Sequence, residues 1–305
     1  MDFVSFGIII DDIVSPDGHT TMGQLGGGGP QTTFGMRLWT EQVGLVAGVG
    51  TDLPEEAQAW LAQAGIDTAG LRLNADWPTL RAWQLYEADG RRTQIWRTPE
   101  SAVAVQLGHA FAQIPPSYQT AQGFHAGVHP EEPDEAEFIQ ALRQHGAVVS
   151  VETYRHASRL LNPAELHRAV SAGHIFSPNL LEVETMVGAG EPQELVRRLI
   201  EAGAEIVALR LGEDGALIQR ADSGEMWHIP AYPTTAVDPT GAGNAFCGGF
   251  LAGWVHHQDI CLAGVCGAVS ASFLVEQVGL PPVTGDWQAE ARRRFETLKL
   301  AVRQI

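Results

Sequence analysis

The sequence predicts an α/β fold: a central, mostly parallel sheet flanked by helices, with a small β sheet standing off it. Three observations carry that expectation. The middle of the chain alternates strand-like and helix-like segments, the pattern of a parallel sheet covered on both faces. Between Leu71 and Trp96 it switches to strand-like segments rich in Leu, Trp and Thr, interrupted by the turn ADGRR at Ala88 to Arg92, as a small antiparallel sheet requires. In VDPTGAGNAFCGGF, Val237 to Phe250, a turn of small residues opens directly into an apolar run of helical length.

With 305 residues, 45% of them hydrophobic, the chain can bury a large core, and no repeat or linker divides it, so a single domain over 1–305 is expected. A formal charge of −17 and a pI near 4.9 argue against nucleic-acid or anionic-membrane partners. The N-terminal MDFVSFGIIIDD has no basic segment and does not read as a signal peptide. The most apolar later run, Ile260 to Val275, is shorter than the roughly 20 residues that span a bilayer and is read as a buried helix. Cys247, Cys261 and Cys266 form no C-x-x-C pair and cannot all pair within one chain, which fits reduced cytosol. A cytoplasmic enzyme is the resulting expectation.

In chain order, Val4 to Ile10 reads as a buried strand ending at Asp11 and Asp12, and strand C-termini face the ligand crevice of an α/β sheet. QLGGGGPQTTFG then joins four glycines to Pro30 and a stretch of helical spacing through Phe34, Leu38 and Trp39. Val43 to Val49 reads as a strand, followed by GVGTD and an amphipathic helix. Gly123 to Ala126 ends another strand, Pro133 to Gln144 is a helix and Ala147 to Val151 a strand. Asn162 to Ala172 is a helix with Asn162 as cap and Pro163 at its first position. His125 and His129 stand four apart, but Gly127 and Pro130 point to a loop, where that spacing aligns no metal pair; a structural role is expected. Asn179 and Glu182 in SPNLLEVETMVG have capping-box spacing, Ile206 to Arg210 is a strand, and Trp287 to Val302 joins Ile260 to Val275 as a closing helix.

Gly241, Ala242 and Gly243 let a backbone approach a ligand and turn successive N–H groups towards it, and at a helix N-terminus such amides stabilise the charge of a phosphoryl group. The ordered string Asp238, Pro239, Thr240, Gly241, Ala242, Gly243, then Phe246, Gly248 and Gly249, resembles the second signature of the PfkB (ribokinase-like) carbohydrate kinases. The family's catalytic Asp is here Asn244. The resemblance runs from Gly7 to Gly279 with motifs in family order, and implies a ribokinase-like fold whose β lid comprises about 13–25 and 71–97. It places Asp12, Gly26, Gly27 and Gln31 at the acceptor substrate, Gln31 standing for a common Asn. Asn179 and Glu182 would organise Mg²⁺ and phosphate through water, Gly212 and Gly215 in LGEDGA would approach ATP, and Asp238 with Thr240 belongs to the region that would seat a monovalent cation such as K⁺. Arg210 stands where several relatives have Lys. Trp77, Trp83 and Trp96 suit a lid face or a homodimer made by two lids, and Arg91, Arg92 and Arg97 are candidates to meet an anionic substrate.

The implied chemistry is transfer of the ATP γ-phosphoryl group to a hydroxyl of a sugar or nucleoside-like substrate. A carboxamide cannot take the hydroxyl proton, and general-base help is worth roughly 10² to 10⁴ in rate, so a slow kinase is expected. The alternatives are a non-catalytic nucleotide- and sugar-binding regulator, to which Asn244, Gln31 and Arg210 together point, and an active kinase deliberately changed from Asp to Asn, against which Gln31 and Arg210 speak. A nicotinamide dehydrogenase rests only on the glycine run, which lacks a G-x-G-x-x-G context.

Overall fold

The computed structural model describes residues 1–88, 92–132 and 135–305. Its strands are β1 (Phe3–Phe6), β2 (Ile9–Val14), β3 (Thr20–Gly26), β4 (Val43–Val49), β5 (Asp67–Leu73), β6 (Arg81–Tyr86), β7 (Arg92–Trp96), β8 (Gly123–Val128), β9 (Val148–Thr153), β10 (Ile175–Phe176), β11 (Ile206–Arg210), β12 (Ala216–Arg220), β13 (Met226–Ile229) and β14 (Arg303–Gln304). Its helices are α1 (Gly29–Arg37), α2 (Glu55–Gln63), α3 (Glu100–Leu107), α4 (Ala136–Gln144), α5 (Pro163–Ser171), α6 (Leu180–Val187), α7 (Pro192–Glu201), α8 (Ala242–His257), α9 (Ile260–Val275) and α10 (Trp287–Leu298).

A ten-stranded sheet runs in the order β14-β13-β12-β11-β10-β9-β8-β1-β4-β5, parallel from β5 through β11 and antiparallel beyond. Period-two alternation divides its apolar residues between two cores. Leu45, Ala47, Ile206 and Ala208 pack with α1, α2 and α8 to α10, whereas Val46, Val207 and Leu209 pack with α4 to α7. Helices α1 and α8 approach closely: a β-carbon on Gly248 would collide with the Thr32 carbonyl, and one on Gly35 with that of Ala245. That contact brings the glycine-run helix and the TGAG helix to one edge of the crevice. No helix of the described residues is long and apolar enough to cross a membrane.

The second sheet has four strands in the order β3-β2-β6-β7. The single strand expected over Val4 to Ile10 is two, because Gly7 adopts φ +88°, a left-handed conformation that turns the chain from one sheet into the other. The stretch 71–97 divides as well: Leu71 to Leu73 complete β5 at the edge of the large sheet, and only β6 and β7 join the small one. Trp77 and Trp96 pack beside Ile9, Leu80, Ala82 and Ala102. Helix α10 ends at Leu298, short of Val302. The cap expected at Asn162 is present, and the structure extends it to a capping box with Glu165. Two expectations reach beyond the described residues: the tip of the Ala88 to Arg92 turn, with Arg91, and the Pro133 start of the helix that is described from Ala136.

Candidate active site

The site lies where the C-terminal ends of the parallel strands meet the first turn of α8, as expected for an open α/β sheet. Strand β9 ends at Glu152 and Thr153, β10 leads to Asn179, and β11 ends at Arg210. Gly241 caps α8 at φ +80°, so the chain turns tightly into the helix at the cost only glycine escapes. The amides of Gly243 and Asn244, in the first turn, have no carbonyl one turn back to bond. The Ala242 N–H, expected with them, donates to Pro239 O at 3.2 Å.

The floor of the crevice is a network of charge. Arg210 Nη2 lies 2.9 Å from Glu152 Oε2, 3.5 Å from Glu182 Oε2 and 2.8 Å from the Ser177 carbonyl. Its guanidinium lies against the start of α8, since a β-carbon on Gly243 would collide with Nη1. Glu152 Oε1 accepts from Asn244 Nδ2 at 2.6 Å and lies 3.3 Å from His125 Nε2. Burial works against ionisation of Glu152, but Arg210 and His125 outweigh it and hold the carboxyl at about 2. Burial likewise opposes the charge on Arg210, yet its acidic neighbours hold it above its ordinary range. Glu182, where burial dominates, is raised.

Asn179 and Glu182 form the capping box of α6: Asn179 Oδ1 accepts from Glu182 N, and Glu182 Oε2 from Asn179 N, each at 2.8 Å. The capping reading and a place in the crevice therefore hold together, because Arg210 ties the same Glu182 to the floor. His125 is in strand β8 rather than a loop, with Nδ1 3.1 Å from Ser150 Oγ. Among the described residues the metal-type donors that converge within 4.8 Å are His125, Glu152 and Cys247. His129 is not among them; its ring accepts from the backbone of Glu131 and Glu132.

The opposite wall is the inner face of the small sheet. Successive residues of β2 point to opposite faces. Asp12 Oδ1 accepts from Gly23 N at 2.8 Å and its Oδ2 pairs with Arg97, whose guanidinium lies 5.2 Å over Trp83. Asp11, on the other face, accepts from Gln84 Nε2 at 2.7 Å, and burial pushes its carboxyl up to about 6. A β-carbon on Gly26 would collide with that carboxylate and stand 3.3 Å from Gln31 Nε2. Gly27, beside Ile9, continues the turn. The structure thus brings Asp11 to Gly26 and Gln31, while Asp12 is engaged with Arg97. Tyr86 is two residues beyond Gln84, and its hydroxyl is hydrogen-bonded to Thr240 Oγ1 at 2.9 Å. Arg92 pairs with Tyr86 in the β6–β7 register, and its charge lowers the pKa of both Asp11 and Glu152.

The two sides join at α8. The stem of Gln31 packs against Gly241, and Asn244 Nδ2 would stand 3.0 Å from a β-carbon on Gly28. Asp238 Oδ1 accepts from both Thr240 N and Thr240 Oγ1, while the buried Asp238 Oδ2 has no hydrogen-bond partner. Gly212 and Gly215, at φ +63° and +89°, flank a short 3₁₀ turn just beyond Arg210. The buried groups without hydrogen-bond partners include Gln31 Oε1 and Gln84 Oε1, both acceptors, at the small-sheet wall, and Arg210 Nε, a donor, with the Thr153 hydroxyl, on the floor.

Asp11, Gln84, Tyr86 and Glu152 were not among the site residues expected from sequence. For Glu152 a signal exists, an acidic residue closing the apolar run VVSV at a strand end. For Gln84 and Tyr86 there is none short of the fold, because their relevance depends on which face of β6 turns inward.

Comparison with known proteins agrees with this architecture. Residues 2–283 match the family model described as pfkB family carbohydrate kinase. A cytidine kinase of Thermococcus kodakarensis is 31% identical over 257 residues, covering 83% of this chain and 88% of its own. A nucleoside kinase of Methanothermobacter thermautotrophicus is 27% identical over 308 residues, covering 94% and 91%. Among solved structures, a putative ribokinase II from E. coli in complex with ATP and Mg²⁺ superposes with a TM-score of 0.74 at 18% identity, over 97% of this chain and 99% of that one.

Proposed function

The chain belongs to the pfkB family of carbohydrate kinases, and from that premise we propose that it is an ATP-dependent phosphotransferase acting on a hydroxyl of a nucleoside or sugar. The observation that carries the proposal is the complementarity of the unpartnered groups. Gln31 Oε1 and Gln84 Oε1 beside Asp11 call for hydroxyl donors, which a ribose or sugar supplies, and Arg210 Nε calls for an anion, which a phosphate supplies. The curated relatives that are cytidine and nucleoside kinases favour a nucleoside over a free sugar.

In this proposal Asp11, Gln31 and Gln84 hold the acceptor, and Asp12 acts through its contacts with Gly23 and Arg97 to fix β2. Gly241 and the Gly243 and Asn244 amides, with Arg210, bear the phosphoryl charge as it develops. The turn from Gly212 to Gly215 lies on the nucleotide side. Glu182 with Asn179 offers hard oxygen donors of the kind Mg²⁺ takes through water; when bound, the ion would neutralise charge on the phosphates. Asp238 Oδ2, buried and without a donor, suits a monovalent cation beside Thr240. A homodimer closed through the outer faces of the small sheets, where Ile95 is half exposed, belongs to the same proposal. Asn244 itself cannot take a proton, so turnover is expected to be slow where no other group in the crevice serves as base.

A second reading is a non-catalytic nucleotide and sugar binder, favoured by one observation: Arg210, fixed by two carboxylates, already lies across the start of α8. An ADP-release assay over a panel of nucleosides and sugars, run beside calorimetry with ATP, separates the two. Turnover of at least one acceptor is the expected result. ATP binding without turnover moves the assignment to the binder, and absence of both sinks the two together.

A further inference from the structure

Resting on the kinase reading, we propose that Glu152 is the carboxylate that takes the acceptor proton in this chain, displaced by one hydrogen bond from the helix position held by Asn244. Glu152 Oε1 is 2.6 Å from Asn244 Nδ2, and Asn244 faces Gly28 of the glycine run, so an acceptor hydroxyl set against Asn244 is one hydrogen bond away from a buried anion. The anion is held from two other elements, by His125 on β8 and Arg210 on β11, and Cys247 Sγ on α8 lies 3.7 Å from Oε2. A carboxylate used only to neutralise Arg210 has no need of the Asn244 contact, because Glu182 is already within 3.5 Å of the same guanidinium.

In the step, the acceptor O–H bond breaks and its proton passes to Glu152 Oε1. The acceptor oxygen forms the new bond to the γ-phosphorus of ATP, and the bond to the β-phosphate oxygen breaks with its electron pair leaving on ADP. As the proton arrives at Oε1, the Asn244 Nδ2–H that occupied that oxygen turns to the acceptor oxygen and keeps it oriented. The carboxamide of Asn244 on the helix is then complemented by a carboxylate on β9, and the pair works as one unit.

The test is a carboxylate swap, read on the acceptor that the unaltered chain turns over. Glu152→Gln is expected to lower kcat by about 10² to 10⁴, chiefly in kcat rather than in KM for ATP. Asn244→Asp alone gains less than about tenfold, because a proton acceptor is already present. The double variant, which moves the carboxylate from strand to helix, recovers to within about tenfold of the unaltered chain. A purely structural Glu152 would instead lower the melting temperature of the single and double variants alike without rescue. If Glu152→Gln does not fold, Glu152→Asp and its combination with Asn244→Asp replace it.

The assignment is overturned by Glu152→Gln retaining kcat within about threefold, by a double variant as slow as the single, or by Asn244→Asp alone gaining 100-fold or more in the order expected of a restored base. In those three outcomes the kinase reading survives. Silence of both the unaltered chain and Asn244→Asp over the whole panel removes the kinase reading and this assignment with it.

Discussion

The floor of the crevice and the small-sheet wall each bury a carboxylate, and the two behave in opposite ways. Glu152 on the floor is held at about 2, whereas Asp11 on the wall is raised to about 6. Burial alone does not distinguish them, since Glu152 is 8% exposed and Asp11 4%. What differs is the partner. Glu152 has a guanidinium at 2.9 Å, and Asp11 has the neutral amide of Gln84 at 2.7 Å, with Arg92 acting only through its field. The floor is thus charged and fixed before any ligand arrives, which is what the proposed stabilisation of a phosphoryl group requires. The wall keeps a carboxyl whose charge is set by what sits against it, as suits recognition of hydroxyls.

The largest expected effect comes from breaking the floor. Arg210→Met leaves Glu152 and Glu182 buried without their cation, and removing one partner of such a pair costs about 3 to 5 kcal/mol. Glu152 contributes stability that is present above its unfolded pKa of 4.5 and is lost as pH falls through about 2. The deficit of Arg210→Met should therefore be full at neutral pH and narrow as pH drops from 4.5 towards 2. Urea unfolding of both proteins across that range measures it, and equal stability at neutral pH would mean that the network is not what holds the floor.

The wall predicts the opposite sign. The folded pKa of Asp11, about 6, lies above its ordinary 3.8, so its contribution is most favourable below 3.8 and is lost as pH rises through 6. Asp11→Asn removes the ionisable group and keeps an acceptor for Gln84. It should stabilise the protein by about 3 kcal/mol above pH 6 and have little effect near pH 3.5. Binding of the acceptor should weaken at the same time. Thermal melts at the two pH values decide the matter; a variant destabilised at both would show that Asp11 has a favourable partner when ionised.

The fold was legible because its signals are local. The buried run VGLVAGV, the Asn162 cap with Pro163 and Glu165, and the small residues before α8 each specify an element within a few residues. The floor was half legible: Asn179, Glu182, Arg210 and Asn244 stand in ordered motifs, but Glu152 joins them only because parallel pairing sets β8, β9, β10 and β11 side by side. The wall was least legible. Asp11 and Asp12 are adjacent in sequence, and which of them faces inward is a matter of strand register, where a slip of one residue exchanges the faces. The break at Gly7 that sets this register is a single backbone conformation, and counting from that glycine along the chain cannot supply it.

The smallest predicted effect concerns the link between the two regions. Tyr86 of the wall meets Thr240 at the start of the α8 turn through one hydrogen bond of 2.9 Å, and Thr240 in turn donates to Asp238 Oδ1 at 2.6 Å. Tyr86→Phe removes the phenol oxygen and keeps the ring, so the expected loss is that of one hydrogen bond, about 0.5 to 1.5 kcal/mol. Stability alone does not identify the partner, because Thr240→Val also forfeits its bond to Asp238. A double-mutant cycle isolates the shared term: if the wall and the floor communicate through this bond, the double variant should be more stable than the sum of the single losses predicts, by about 1 kcal/mol. The same cycle read in ATP affinity tests whether the small sheet, through Tyr86, positions the turn proposed to bear the phosphoryl charge. Additive losses in both readouts would leave floor and wall as independent halves, brought together only by the ligand they share.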